Sequence, residues 1–263
     1  MNPVRSQCTV PNRGFTLIEL LVVVVIIGVL ASLLLPALTR AKARAHEISC
    51  VNRMRQWTVA LTMYAAESED RLPRESFIPG GTVLNLWAQV RHPLAADVWY
   101  NALPRLIDQP EAADFAPSAV RGDFYRRERL MHCPSATFPS GAAKDQVTFF
   151  SVAMNSKLVR PSSPGLVMLG SVVRPSSTVA FLDNRLPDEP KVHPGQIDQD
   201  LGQPSAYASR FVTRHQQRGT LSFLDGHVET KRGSEVVEGG YAILPQTSLV
   251  WTTDPKSDPN LNY

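Results

Sequence analysis

The amino-acid sequence predicts an α+β protein, with a long N-terminal helix, transmembrane in its first half, packed on a mainly antiparallel β domain. Residues 20–39 carry no charge and residues 38–70 contain neither Gly nor Pro, so one helix can run from the apolar stretch into the polar sequence after it. Beyond residue 72 prolines recur and apolar runs shorten, which is typical of short strands with irregular connections.

The apolar stretch has the length of a membrane span. Its twenty uncharged residues match the roughly 20 that a helix needs to cross about 30 Å of hydrocarbon. Gly28 and Pro36 lie within it, and a membrane helix tolerates both where neighbouring groups satisfy the freed backbone. No small-residue cleavage site follows residue 39, so we expect the stretch to remain in the mature protein.

The helical pattern continues past the apolar stretch. Apolar residues recur at spacings close to one face of a 3.6-residue helix, at Ile48, Val51, Met54, Leu61 and Tyr64. We expect one helix from residue 15 to about residue 67, on the order of 80 Å long at 1.5 Å per residue. Pro73 disfavours helical geometry in the residue before it and should follow the end of this helix.

The remaining sequence predicts a β-rich domain. Short apolar runs between turn residues predict strands at 147–153, 178–182, 220–224, 227–231 and 241–244. Short helices are expected around residues 88–103, and the tail at 253–263, rich in Asp-Pro and Pro-Asn steps, should be loose.

A hairpin is predicted around Asp225 and Gly226. This dipeptide separates two alternating runs, a pattern that favours a type I′ turn. His215 precedes Asp225 by nine intervening residues, and we interpret it as a hydrogen-bonding residue that pins the hairpin to the preceding loop. The alternative is a metal site formed by His215, Asp225 and His227, although no spacing diagnostic of zinc is present.

Other candidate chemistry is sparse. Five carboxylates crowd one region beside Arg185 and Lys191, which indicates a solvated acidic loop or, as the alternative, a calcium site: Asp183, Asp188, Glu189, Asp198 and Asp200. We see neither a phosphate-binding loop nor a catalytic triad, so we expect no enzyme and no cofactor. The net charge of +3 gives no reason to expect nucleic-acid binding. The basic cluster within residues 40–55 is interpreted as a helix face near lipid headgroups, with DNA binding as the alternative.

The most informative motif is Gly-Phe-Thr-Leu-Ile-Glu at residues 14–19. Glu19 is the only charge between Arg13 and Arg40, and a carboxylate at membrane depth is costly unless it has a partner and a function. A short basic leader, then Gly14, Phe15, Glu19 and a long apolar run, resembles the class III signal of type IV pilins and type II secretion pseudopilins.

This resemblance implies a role for each matching residue. It implies that a prepilin peptidase cleaves after Gly14, that Phe15 becomes the N-methylated first residue, and that Glu19 registers the subunit during assembly. Pro36 matches a helix-bending proline. The implied organisation is a leader at 1–14, a transmembrane and filament-core helix at 15–39, its soluble continuation at 40–70 and a globular domain at 71–263. The implied location is the inner membrane, with the domain in the periplasm or, after assembly, outside the cell.

The spacing from His215 to Asp225 and Gly226 resembles a second pattern, the His-X9-Asp-Gly signature of a large bacterial group of prepilin-like proteins. Segments at 50–65, 72–73, 132–135, 154–155 and 175–178 also resemble that group. This likeness implies architecture and no defined activity.

Two cysteines remain once the leader with Cys8 is removed. Cys50 and Cys133 would then both lie outside the cytoplasm, where disulfides persist, and a bridge would join the helix to the domain. The alternative is two separately buried thiols.

Two functional hypotheses follow. In the first, the chain is a pilin-like subunit that assembles with similar subunits through its N-terminal helix into a pilus or a secretion pseudopilus. In the second, the chain is processed but remains a membrane-tethered binding module that does not polymerise. The residues at 14–19 favour the first hypothesis.

Overall fold

A computed structural model describes residues 16–75, 86–126, 128–141, 143–158 and 167–260. The chain divides into two compact units, Met1–Arg44 and Ala45–Tyr263, which are described separately below. The architecture is the predicted one: a long N-terminal helix followed by a mainly antiparallel sheet.

Helix α1 spans Leu17–Glu67 and contributes to both units. In the first unit, apolar side chains on every side of the helix are exposed, from Leu17 at 82% to Leu38 at 60%. An 18-residue window of α1 has a mean hydropathy of 3.0, and none of that window is buried within the structure. By length and composition, α1 is long and apolar enough to cross a membrane.

In the second unit, α1 buries one stripe of side chains. The stripe recurs at spacings of three and four residues, through Cys50, Met54, Trp57, Leu61 and Ala65. The predicted face was therefore wrong at its start, because Ile48 is 50% exposed. The stripe is centred on an indole: the ring of Trp57 lies 5.0 Å from the ring of Trp99 and 6.0 Å from that of Phe181.

The end of α1 agrees with the prediction. After Glu67, residues Glu69 and Asp70 adopt positive φ angles of 54° and 64°, and the Asp70 amide donates to the Ala65 carbonyl at 2.8 Å. Left-handed residues of this kind commonly terminate helices. The chain has thus left the helix before Pro73.

Four short α-helices follow: α2 at Trp87–Val90, α3 at Trp99–Leu106, α4 at Arg121–Phe124 and α5 at Ala143–Gln146. The helices expected around residues 88–103 correspond to α2 and α3. Single 3-10 turns occur at Pro93–Ala95, Ala112–Phe115, Leu169–Ser171, Ala208–Arg210 and Gly233–Glu235.

The main sheet has five strands in the order β3-β1-β2-β4-β5. They are β1 at Val152–Asn155, β2 at Val179–Asp183, β3 at Ser205–Ala206, β4 at Arg218–Phe223 and β5 at Val228–Arg232. Every pair is antiparallel except β1 with β3. Strands β6 at Val237–Gly239 and β7 at Ala242–Ile243 form a separate antiparallel pair.

The strand predictions at 178–182, 220–224, 227–231 and 241–244 correspond to β2, β4, β5 and β7 within a few residues. The prediction at 147–153 was wrong for its first five residues, because the backbone there bonds outside the sheet; the Phe150 amide donates to the Gly202 carbonyl. The tail was predicted to be loose, but its described part is attached to β7. The side-chain amide of Asn260 accepts a hydrogen bond from the Ile243 backbone amide and donates one to the Ile243 carbonyl.

The β4–β5 hairpin was predicted correctly, but its turn type was not. Phe223 and His227 close a three-residue loop, in which the Gly226 amide donates to the Phe223 carbonyl at 3.0 Å. Of the loop residues, Gly226 alone has a positive φ, of 97°, whereas a type I′ turn requires positive φ at both central residues. Two consecutive residues with positive φ occur instead at Gln216 and Gln217, between the paired residues His215 and Arg218.

Replacement of Gly226 by Ala should destabilise the second unit. A Cβ there meets no atom within 4 Å, so the expected loss of about 1 to 2 kcal/mol comes from the left-handed backbone alone. All four tryptophans lie in the second unit, so tryptophan fluorescence during denaturant unfolding of the detergent-solubilised chain measures its stability.

The matched control is Gly122→Ala, where the added Cβ also meets nothing and the backbone is helical. We expect that change to be neutral or stabilising by up to about 1 kcal/mol. Equal effects of the two substitutions would contradict this account of the turn.

Candidate functional site

The predicted cleavage residues Gly14 and Phe15 lie outside the described residues. The structure does describe the other end of this motif. Glu19 Oε2 accepts hydrogen bonds from the Thr16 amide at 2.9 Å and the Thr16 hydroxyl at 2.8 Å, and the Glu19 amide donates to Thr16 Oγ1 at 3.2 Å. This reciprocal arrangement is a capping box, which satisfies donors at the start of α1.

The capping box was missed at the sequence level, although Thr-x-x-Glu at residues 16–19 is its signature. It gives Glu19 a structural role within its own chain. A carboxylate in the first turn is also favoured by the positive end of the helix dipole. Thr16 supplies hydrogen bonds but no charge, so the negative charge of Glu19 is left for another partner to neutralise.

Pro36 lies inside α1, and the helix continues through it. Proline has no amide hydrogen, so the Ser32 carbonyl loses its usual partner four residues later. Two nearby hydroxyls bond back to the helix: Ser32 Oγ donates to the Val29 carbonyl at 2.7 Å and Thr39 Oγ1 to the Leu35 carbonyl at 2.9 Å. Such bonds allow polar side chains to face an apolar surrounding.

Three ligand-type side chains converge in the second unit. The structure joins Cys50 of α1 to Cys133, with Cα atoms 5.3 Å apart, a distance that a disulfide spans. His215 Nε2 lies 3.2 Å from Cys133 Sγ. His215 was predicted to form a hydrogen bond, but the sequence did not indicate that its neighbour would be Cys133 Sγ.

Asp225 and His227 lie at the opposite end of β4 from His215. His227 Nδ1 is 2.5 Å from Asp225 Oδ1, and the His227 ring stacks on Phe223 with centroids 4.2 Å apart. The structure therefore does not bring His215, Asp225 and His227 together as a metal site. The six residues of β4 separate the two ends of the motif.

Both ends of the motif contact α1. His215 touches the Cys50–Cys133 bridge. The Gly226 carbonyl lies 3.4 Å from Thr58 Oγ1, whose hydroxyl has its shortest hydrogen bond, of 2.9 Å, to the Arg55 carbonyl. Cys50 and Thr58 lie about two helical turns apart on α1. The segment from residue 215 to residue 226 therefore contacts one side of the helix at two points.

Arginines surround the acidic residues. Asp198 pairs with Arg185 and Lys191, and Asp200 with Arg210 at 3.7 Å. Asp188 is exposed. Asp198 and Asp200 thus face separate cations rather than one common point, an arrangement unlike the convergent oxygen ligands of a calcium loop.

Arg214, next to His215, was missed by the sequence analysis. Its side chain is 3% exposed and pairs with Asp183 at 3.2 Å and Glu189 at 2.6 Å. It also donates to the carbonyls of Ser151 and Asn184. A lone arginine before a histidine gives no sequence signal of burial.

Replacement of Arg214 by Met should cost roughly 3 to 5 kcal/mol, because it leaves the carboxylates of Asp183 and Glu189 buried without a cation. Combining it with Asp183→Asn and Glu189→Gln should recover much of the loss. Denaturant unfolding followed by tryptophan fluorescence measures both.

The control is Arg105→Met, which breaks the exposed pair with Glu111 and should cost less than about 1 kcal/mol. An Arg214→Met protein as stable as this control would show that the buried network does not hold the sheet.

Comparison with known proteins finds matches to parts of the chain. Residues 11–35 match the family described as "Prokaryotic N-terminal methylation motif". The chain is 44% identical over 62 residues to type II secretion system core protein G of Escherichia coli (strain K12), covering 24% of this chain and 43% of that protein.

Two further relatives carry the same description. Those of Pectobacterium carotovorum subsp. carotovorum and Klebsiella pneumoniae are each 45% identical over 57 residues, covering 22% of this chain and 36% and 41% of theirs. The chain spans less than half the length of these curated relatives. No solved structure matches the chain. The chain therefore carries a prepilin-type N-terminal motif, and its long apolar helix followed by an antiparallel sheet is a pilin-like α+β architecture.

Proposed function

We propose that this chain is a pseudopilin subunit, anchored in the inner membrane, processed by a prepilin peptidase and assembled with similar subunits through its N-terminal helix. The observation that carries the proposal is the first part of α1, where every large apolar side chain is exposed and Glu19 is the single carboxylate. A helix that is apolar all round requires lipid or other helices around it.

Before assembly, the lipid of the membrane would cover the apolar side chains of this helix. An α-helix bonds its own backbone groups, so it can lie in hydrocarbon without exposing unpaired amides and carbonyls. Neighbouring subunits would cover the same apolar surface afterwards. The single helix therefore serves as an anchor and as an assembly element in turn.

Glu19 gives the assembly its specificity. A carboxylate costs roughly 2.5 to 3.5 kcal/mol at the centre of a membrane helix on insertion scales, and Glu19 at the start of α1 would bear a smaller part of that cost. Cleavage between Gly14 and Phe15 would create an α-amino group close to Glu19. That amine, on the same chain or on a neighbour, supplies the positive charge that Thr16 lacks.

The proposed organisation follows from these roles. Residues 1–14 are the leader, 15–39 the membrane and filament-core helix, 40–70 its soluble continuation, and 71–263 the globular part in the periplasm. Pro36 would bend the helix. The names of the relatives favour a type II secretion system over a pilus.

Processing is the first test. Co-expression with a prepilin peptidase should give a chain that begins at Phe15 and carries one added methyl group, measured by intact mass. Gly14→Val should block cleavage, because the side chain fills the space next to the scissile bond. A wild-type chain that stays full-length with an active peptidase would contradict the proposal.

Assembly is the second test. Glu19→Val should leave membrane insertion and cleavage intact but abolish recovery of the protein in sheared, sedimented filaments from cells that overproduce it. Thr16→Val is the control, because it removes the capping hydroxyl and keeps the charge, and it should still assemble. Normal assembly of the Glu19→Val protein, with cleavage intact, would instead support a tethered module that does not polymerise.

A further inference from the structure

The Cys50, Cys133 and His215 side chains form a buried cluster with the chemistry of a metal site. The two sulfur atoms and a ring nitrogen of His215 lie within 4.8 Å of one another. The three residues are 3%, 3% and 4% exposed. They come from distant parts of the chain: α1, the connection between α4 and α5, and the turn before β4. Among the described residues, these three are the cluster of His, Cys, Asp or Glu side chains whose potential metal-ligand atoms lie this close together.

The imidazole is poorly matched to a disulfide. His215 Nε2 lies 3.2 Å from Cys133 Sγ. Sulfur is a weak hydrogen-bond acceptor, so a buried ring nitrogen gains little from a bridged cysteine. A buried polar atom without a good partner is costly. The same nitrogen can form a hydrogen bond with a thiol or a thiolate, or coordinate a metal ion.

We propose that Cys50, Cys133 and His215 form a redox-gated metal site. It would bind a thiophilic divalent ion such as Zn²⁺ when the cysteines are reduced, and it would be closed when they are joined. A tetrahedral zinc ion with bonds of about 2.3 Å to sulfur and 2.0 Å to nitrogen places these ligand atoms roughly 3.5 to 3.8 Å apart. The Cys133–His215 separation is close to this range, so the two sulfurs must separate on reduction while His215 stays in place. Three protein ligands leave the fourth position to water.

The redox step is balanced by a phosphine reductant. The phosphine gives two electrons to the disulfide, takes one oxygen atom from water to become a phosphine oxide, and leaves two thiols that carry the two protons of that water. Binding of the divalent ion then releases both thiol protons.

Cobalt provides the test, because Co²⁺ bound to thiolates absorbs in the near ultraviolet and visible ranges. The full chain with Cys8→Ser, folded in detergent, is reduced with a phosphine under anaerobic conditions and titrated with Co²⁺ alone. We expect one ion per chain, with thiolate charge-transfer absorption, and none for the unreduced protein. X-ray absorption of the Zn²⁺-loaded wild-type site should show two sulfur ligands and at least one nitrogen ligand.

Matched variants assign the ligands. His215→Gln should weaken Co²⁺ binding at least about tenfold, since even residues that only support a ligand contribute that much. His227→Gln makes the same change at the other end of β4 and should not alter binding. Cys133→Ala should abolish the charge-transfer band.

Several results would overturn the proposal. One is a reduced protein whose two thiols can be alkylated but which shows no cobalt absorption band. Another is an equal affinity for Co²⁺ in the His215→Gln and His227→Gln proteins. A disulfide that resists reduction in the folded chain, or a reduced chain that unfolds, would also overturn it, because a gated site must exist in both states. Each result is independent of the test of filament assembly.

Discussion

The exposed apolar surface of the first part of α1 is the constraint on which this protein depends. A surface of that kind cannot remain in water, so the chain must place it in lipid or against other helices. Glu19 interrupts this surface at its start, and the capping box with Thr16 shows how a carboxylate is accommodated there: it completes the helix end. Its charge still requires a cation, which cleavage would supply as a new amine. In the proposed function, anchoring, processing and assembly are linked through this one residue.

In the second unit, polar interactions fix the sheet next to the rest of α1. Arg214 forms ion pairs with two buried carboxylates, Asp183 of β2 and Glu189 of the following loop. The Asp183 side chain also accepts a hydrogen bond from the backbone amide of Thr220 in β4 at 2.7 Å. Next to this network, the segment from His215 to Gly226 contacts α1 at the Cys50 bridge and at Thr58. The His-X9-Asp-Gly spacing thus corresponds to the length of one strand with a helix contact at each end. The same geometry brings His215 to the sulfur atoms.

Features with strong local causes could be predicted from the sequence. The apolar run, the end of α1 before Pro73 and the hairpin at Asp225-Gly226 each depend on residues adjacent in the chain. The turn type could not be predicted, because Gly226 serves either a two-residue or a three-residue loop. Strands β3 and β6 are too short to show alternation, and the burial of Arg214 depends on partners 25 and 31 residues away. The capping box was predictable in principle, since Thr16 and Glu19 have the required spacing.

In the proposed function other subunits cover the apolar surface of α1, and site-specific photo-crosslinking can detect that contact. A photoreactive residue at Val23, whose side chain is 45% exposed, is introduced into the chain in cells that carry the assembly machinery. We expect a crosslink to a second copy or to another pilin-like subunit, and loss of that product when Glu19→Val is added. Crosslinks to lipid alone, or a protein crosslink unchanged by Glu19→Val, would contradict it.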